Sequence, residues 1–174
     1  MNVMSIVKRT LVVAMAALSG LAVAATPARA GVVDYELKNH WYWPDCLDLD
    51  VWNPGKVQLW GCNNSPQQRW FRGNAYDGWA ELRSRQDARC LTLDPAAPVG
   101  DGSRMQVADC GGPGQPDQHW RLERQEGNAY RLVNRRYGCL DVDRNEPYFL
   151  GKRVQAGTCT WTGYQLWEAV KHTY

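Results

Sequence analysis

The chain predicts an all-β protein, a closed barrel with pseudo-threefold symmetry built from twelve short strands. Three observations carry that expectation. A Gln-x-Trp triplet occurs three times, as Gln68-Arg69-Trp70, Gln118-His119-Trp120 and Gln165-Leu166-Trp167, at steps of 50 and 47 residues. A fixed period in the range of roughly 20–50 residues marks a fold made of repeated supersecondary units. Each triplet follows a pair of cysteines, and each unit holds four short strand-like segments between turn residues, with no periodic stretch long enough for a helix.

The four segments keep their order in every unit. The first contains Leu37, Leu82 or Leu132. The second is Cys46-Leu47-Asp48-Leu49-Asp50, Cys90-Leu91-Thr92-Leu93-Asp94 or Cys139-Leu140-Asp141-Val142-Asp143. Its alternation of apolar and polar residues is the period of a half-buried strand, with the middle residue pointing outward. The third carries Val57-Gln58, Met105-Gln106 or Val154-Gln155, the Gln always four residues before the second cysteine. The fourth begins at the Gln-x-Trp. Turn signals between units are read at Gly73-Asn74 and Gly127-Asn128, and within units at Asn53-Pro54-Gly55 and Gly111 to Gly114.

Trp70, Trp120 and Trp167 are expected in the core, because a residue at a fixed offset in all three units is explained by architecture. With nine Trp and two Phe, indoles must supply much of the aromatic core. By the same reasoning the amides of Gln68, Gln118 and Gln165 are expected to bind backbone. Asp50, Asp94 and Asp143 read as turn residues.

Six cysteines allow fifteen pairings, and the repeat selects one. Cys46–Cys62, Cys90–Cys110 and Cys139–Cys159 lie 16, 20 and 20 residues apart, each pair in the same place in its unit. Closing loops of that size stabilises by roughly 3 kcal/mol each in the chain-entropy model. A zinc site is disfavoured, since the chain has no Cys-x2-Cys.

Residues 1–30 read as a secretory signal peptide: Lys8 and Arg9, then an uncharged apolar run from Leu11 to Ala25, then the cleavage motif Ala28-Arg29-Ala30. That run is too short to span a bilayer core of about 30 Å. The expected product is a single exported domain over 31–174, with repeats at about 33–74, 75–126 and 127–174 and no membrane insertion. Three of the 20 basic residues and none of the 18 acidic ones lie in the leader, which leaves a formal charge of −1. Such a surface gives no electrostatic footprint for nucleic acid.

Three Gln-x-Trp triplets in register with three cysteine pairs, two Cys-Leu-Asp strands at 46–48 and 139–141, and the first repeat's Val-Gln-Leu-Trp-Gly-Cys block resemble the ricin B-chain type lectin domain. That domain is a β-trefoil, also known as a family 13 carbohydrate-binding module. The resemblance runs from Tyr35 to about Glu168. It implies one shallow sugar pocket per repeat. The pocket combines an Asp on the Cys-Leu-Asp strand, an aromatic two residues before the second cysteine, the strand-three Gln, and an Asn before the Gln-x-Trp. A carboxylate accepts from two hydroxyls at once, and a flat ring covers the apolar face of a pyranose.

Carried over residue by residue, the first repeat offers Asp48, Gln58 and Trp60, with Gln67 in the Asn position, Gln68 behind it, and Trp52 as a second platform. The second repeat has Thr92, Ala108 and Asp117 where Asp, aromatic and Asn belong, keeps Gln106, and is expected not to bind. The third keeps Asp141, Gln155 and Gln165 but has Gly157 in the aromatic position and Tyr164 in the Asn position; Tyr164 and the pair Tyr148-Phe149 are the candidates to supply stacking from another direction. Gln58, Gln106 and Gln155 occur in all three repeats, the degenerate one included, so they mark binding less strongly than the Asp residues do.

The run His40-Trp41-Tyr42-Trp43 has no aromatic counterpart in the second repeat and reads either as a lid on the barrel end or as a contact surface. No metalloprotease, serine-hydrolase or phosphate-loop motif is present, and no residues are expected to remain for a catalytic domain. The function implied is non-catalytic glycan binding, chiefly by the first repeat, with galactose-type or xylan-type ligands and no cofactor or metal. The rival is a degenerate trefoil acting through protein contacts. Oligomeric state is not legible.

Overall fold

The computed structural model describes residues 33–147 and 151–173. The expected signal peptide and the Tyr148-Phe149 pair lie outside the described residues. Twelve strands are present: β1 (Asp34–Asn39), β2 (Asp45–Leu49), β3 (Val57–Gly61), β4 (Trp70–Tyr76), β5 (Trp79–Ser84), β6 (Cys90–Leu93), β7 (Ser103–Ala108), β8 (His119–Arg124), β9 (Ala129–Asn134), β10 (Cys139–Val142), β11 (Lys152–Gly157) and β12 (Trp167–His172). The only helical pieces among the described residues are single 3-10 turns. Three of these, 66–68, 116–118 and 163–165, lead into the Gln-x-Trp tryptophans.

Six of the strands close a ring by antiparallel pairing: β1 on β4, β4 on β5, β5 on β8, β8 on β9, β9 on β12, and β12 back on β1. The other six form three hairpins, β2–β3, β6–β7 and β10–β11. These are tied to one another through β11–β3, β11–β7 and the bridge Lys56↔Gln106. A barrel capped by a triangle of hairpins, each repeat supplying two barrel strands and one hairpin, is the β-trefoil.

The core is built from threes. Leu37, Leu82 and Leu132, then Leu47, Leu91 and Leu140, then Leu49, Leu93 and Val142 are buried at matching positions, as are Trp70, Trp120 and Trp167. Each indole Nε1–H donates to a strand-two carbonyl of its own repeat: Trp70 to Leu47 O at 2.9 Å, Trp120 to Leu91 O at 2.9 Å, Trp167 to Leu140 O at 3.1 Å. A buried indole therefore contributes its area without leaving a donor unmet. Cys46–Cys62, Cys90–Cys110 and Cys139–Cys159 are all bonded, as the repeat predicts.

One turn differs from the sequence expectation. Gly73-Asn74 is a bulge inside β4, where the register on β5 shifts between Arg72 and Ala75. It lets the Asn74 N–H reach the buried Glu81 carboxylate at 3.0 Å. The chain instead reverses at Asp77-Gly78, with φ of 49° and 83° between the paired Tyr76 and Trp79. Positive φ at both central residues is what a two-residue type I′ hairpin needs, and Asp-Gly is a sequence that adopts it readily.

Truncation separates burial from hydrogen bonding at the second-repeat indole. Trp120→Ala is expected to cost about 3–5 kcal/mol in denaturant unfolding. Trp120→Phe keeps most of the area but orphans the Leu91 carbonyl and is expected to cost about 1–3 kcal/mol. A Phe variant as stable as the parent would show that the Nε1–H bond adds nothing.

Candidate functional site

Cross-strand register explains the spacing of the pocket residues. In each cap hairpin the strand-two polar residue sits opposite the strand-three Gln: Asp48↔Gln58, Thr92↔Gln106 and Asp141↔Gln155. Two positions nearer the disulfide, Cys46, Cys90 and Cys139 face Trp60, Ala108 and Gly157. Residues two apart on a strand share a face, so the acceptor and the platform position emerge together.

The first repeat brings its predicted residues into one cavity of about 420 Å³, lined by Asp48, Trp52, Gln58, Trp60 and Gln67, with Asn63 and Ser65 added from the loop after β3. Asp48 is buried at its base, and its Oδ1 accepts from Gln58 Nε2 at 3.1 Å. Two indoles stand out on the rim: Trp60 is 44% exposed and Trp52 is 89% exposed. Gln67 lines the cavity with a buried Oε1 that has no hydrogen-bond partner among the described residues.

Gln68 is fully buried and serves differently. Its Oε1 accepts from Asn63 N at 2.7 Å and its Nε2 donates to Gly61 O at 3.0 Å. Its amide also bonds the Asp48 carboxylate. Gln68 thus holds the loop and orients Asp48 from behind. Gln165 does the same in the third repeat, linking Thr160 N, Thr158 O and Asp141 Oδ2, the last at 2.6 Å. Gln118 bonds Gly111 N and Asp109 O.

Burial raises the Asp48 carboxyl above its ordinary value, and the bonds from Gln58 and Gln68 only partly offset this. Asp141 is raised for the same reason, against the bond from Gln165 and the nearby Arg144. Asp50, two residues on from Asp48, is held low: burial pushes it up, but Asn53, the Trp52 and Asn53 amides and Lys56 outweigh that. Asp50 is the turn residue the sequence predicts, accepting from Trp52 N and Asn53 N.

The third repeat has a cavity of about 300 Å³ lined by Asp141, Gln155, Gly157, Tyr164 and Gln165, with Arg144 and three threonines. Gln155 Oε1 is buried there without a partner among the described residues. Tyr164 is half-buried, its ring 4.9 Å from Trp41 and 5.9 Å from Tyr42. Sequence reasoning missed Asp101, which crosses from the β6–β7 connection to line this cavity and accepts from the Tyr137 hydroxyl at 2.8 Å and from the Thr158 amide. No signal along the chain could have found it, because the contact joins different repeats.

The second repeat closes its position. Thr92 is buried with its hydroxyl donated to Leu93 O, and Asp117 is buried 3.4 Å from Arg136. His119 is fully buried against Tyr76, its Nε2 3.0 Å from Gly112 O. Glu81, Cys90 and Cys110 lie close enough to share an ion, but both sulfurs are in the disulfide and are not thiolates. A further cavity of about 300 Å³ opens into the barrel end among Tyr35, Leu37, Leu82, Trp120 and Leu132, with Arg72, Glu81 and Arg121 also lining it. Among the described residues no helix is long and apolar enough to cross a membrane.

The ring of six strands and its triangle of hairpins define a β-trefoil. The model of the ricin-type β-trefoil lectin domain matches residues 34–167, and the chain belongs to that family. Among solved structures it resembles ThreeFoil, a designed threefold-symmetric protein, at 25% identity and TM-score 0.69 over 79% of this chain and 97% of that one. The ricin B-like lectin of Macrolepiota procera, solved with lactose, matches at 20% identity and TM-score 0.66 over 83% and 98%. An exo-β-1,3-galactanase from Clostridium thermocellum matches at 21% identity and TM-score 0.68 over 79% of this chain, but only 30% of the enzyme is covered. No curated protein matches the chain.

A raised carboxyl means the native state holds its proton more tightly than the unfolded chain does. Stability from that source is fully present in acid and is lost as pH rises through the raised value. Asp48→Asn, which keeps an acceptor for Gln58, is therefore expected to melt at or above the parent temperature at neutral pH. That advantage should vanish as pH falls toward the ordinary aspartate value of 3.8. An Asn variant less stable at pH 7 would contradict the burial argument.

Proposed function

We propose that this chain is an exported, non-catalytic lectin that takes glycan chiefly in the pocket of its first repeat. The observation that carries the reading is the combination in one cavity of an oriented carboxylate, Asp48, an unpaired acceptor, Gln67 Oε1, and two exposed indoles, Trp52 and Trp60. Sugar hydroxyls donate to the carboxylate, Gln58 and Gln67 complete the polar rim, and an indole covers the C–H face of the ring. The third-repeat pocket, with Asp141, Gln155 and Tyr164, is a secondary site. The second repeat does not take part.

The non-catalytic reading rests on the first pocket's carboxylates. Asp50, two residues on from Asp48, is tied into its turn by Trp52 and Asn53, so among the described residues no second free carboxylate lines the pocket for acid–base work. Export fits three disulfides, which persist in oxidising compartments. The ligand class is galactose-type or xylan-type glycan. An open pocket of this kind gives a dissociation constant on the order of millimolar, so retention on a glycan needs more than one contact.

Selective binding on a glycan array, competed by galactose, lactose or xylose, is the expected result for the folded, oxidised protein. Asp48→Ala and Trp60→Ala should each abolish calorimetric binding; Trp60→Ala removes an exposed indole and should leave the melting temperature nearly unchanged, whereas Asp48→Ala removes the buried acceptor of Gln58 and Gln68 and should lower it. Retained binding in Asp48→Ala would remove the first pocket from the mechanism. Wild-type affinity should fall on acidification from above the ordinary aspartate range, since the raised Asp48 is the acceptor and must be ionised.

A further inference from the structure

The turn between β1 and β2 carries Trp41 and Trp43, which no pocket of the three repeats uses. Trp41 is 62% and Trp43 67% exposed, while Tyr42 between them packs on the core. The turn is fixed: Asn39 Oδ1 accepts from Trp41 N and Tyr42 N at 3.1 Å, Asn39 Nδ2 donates to Tyr164 O at 3.0 Å, and His40 N donates to Leu166 O at 2.9 Å. Both indoles are therefore held on rigid backbone, so a ligand need not order them.

Each indole borders a different cavity. Trp41 lies against Tyr164, the aromatic wall of the third-repeat pocket. Trp43 lines a separate cavity of about 380 Å³ with His40, Glu126, Asn128 and Glu168. The side chains of Glu126, Asn128 and Glu168 form no hydrogen bond or ion pair with described residues. An uncovered indole beside free carboxylates and a carboxamide repeats the chemistry of the first pocket on a surface that the threefold pattern does not supply.

We infer that the Trp41–Trp43 turn is a third saccharide-contacting surface, which receives an elongated glycan leaving the third-repeat pocket. The chain runs over Trp41 to Trp43, where Glu126, Asn128 and Glu168 bind its hydroxyls. The inference rests on the carbohydrate-binding reading above and adds to it that the preferred ligand is a polymer and not a terminal sugar. A protein partner fits less well: protein interfaces are depleted in Glu at their centres, and here two glutamates flank the central indole.

The test uses the full, disulfide-intact protein and two probe pairs, soluble xylan with xylobiose and a soluble β-galactan with lactose. Trp43→Ala is expected to weaken polymer binding by about threefold to tenfold, the range of one lost aromatic contact. It should leave disaccharide binding and the melting temperature unchanged. Trp43→Tyr should restore polymer binding, and Trp41→Ala should repeat the defect. Asp48→Ala should instead lose the disaccharide. Wild-type polymer affinity in both Trp variants overturns the inference while leaving the first pocket intact. Silence of the wild type toward all four probes overturns both readings. A Trp43→Ala variant that changes sedimentation from oligomer to monomer, with polymer binding unaltered, assigns the turn to contact between copies and also overturns it.

Discussion

Three buried hydrogen bonds, from the indole Nε1–H of Trp70, Trp120 and Trp167 to the strand-two carbonyls of Leu47, Leu91 and Leu140, hold each repeat in shape. Each joins a barrel strand to the cap hairpin of the same repeat. The Gln two residues earlier then lies against the hairpin end, where its amide satisfies the loop backbone. In the first and third repeats the same amide reaches the pocket carboxylate. Core and site are thus two ends of one short segment. The indole anchors it and the Gln transmits its position to Asp48 and Asp141.

That arrangement also explains how the repeats diverge without harm to the fold. The polar register Asp48↔Gln58 recurs as Thr92↔Gln106, with Leu91 and Leu93 still buried on either side. Nothing in the barrel needs a carboxylate there, and ionising one in a buried position works against stability. The platform position is equally free, passing from Trp60 to Ala108 to Gly157. Residues that the core does not require are therefore the ones free to differ from pocket to pocket. The first pocket is nonetheless not the property of its own repeat alone. Gly151, at φ of 77° just before β11, sits where an added Cβ would collide with the Gln58 carboxamide and lie 3.1 Å from the Trp60 ring.

Most of the fold was legible because it is written three times. Strand order, the buried tryptophans and the disulfides each follow from a position that recurs, and recurrence distinguishes architecture from local accident. Gly73-Asn74 misled because a glycine–asparagine pair signals a turn, while here the pair forms a bulge that serves Glu81; the Asp77-Gly78 signal was the stronger one. In the site, Asp48, Gln58, Trp60 and Gln67 meet in one cavity as the register requires. Gln68 and Gln165 were placed with the ligand-binding groups, whereas their amides are occupied by backbone and by the Asp they orient. Asp101 and the stacking of Trp41 on Tyr164 were invisible, since both join residues of different repeats that no periodicity relates.

The pairing of β1 with β12 runs over six residues, from Asp34↔His172 to Asn39↔Trp167. It occupies the place in the ring that the hairpins β4–β5 and β8–β9 hold elsewhere. The covalent break between the first and last strands therefore stands where a third hairpin turn would be, and the ring does not depend on which of the three junctions is left open. Joining residue 172 to residue 34 through a short turn and opening the chain at Asp77-Gly78 would give a permuted polypeptide. It would have the same barrel, the same three disulfides and the same pockets, with the repeats read in a different order.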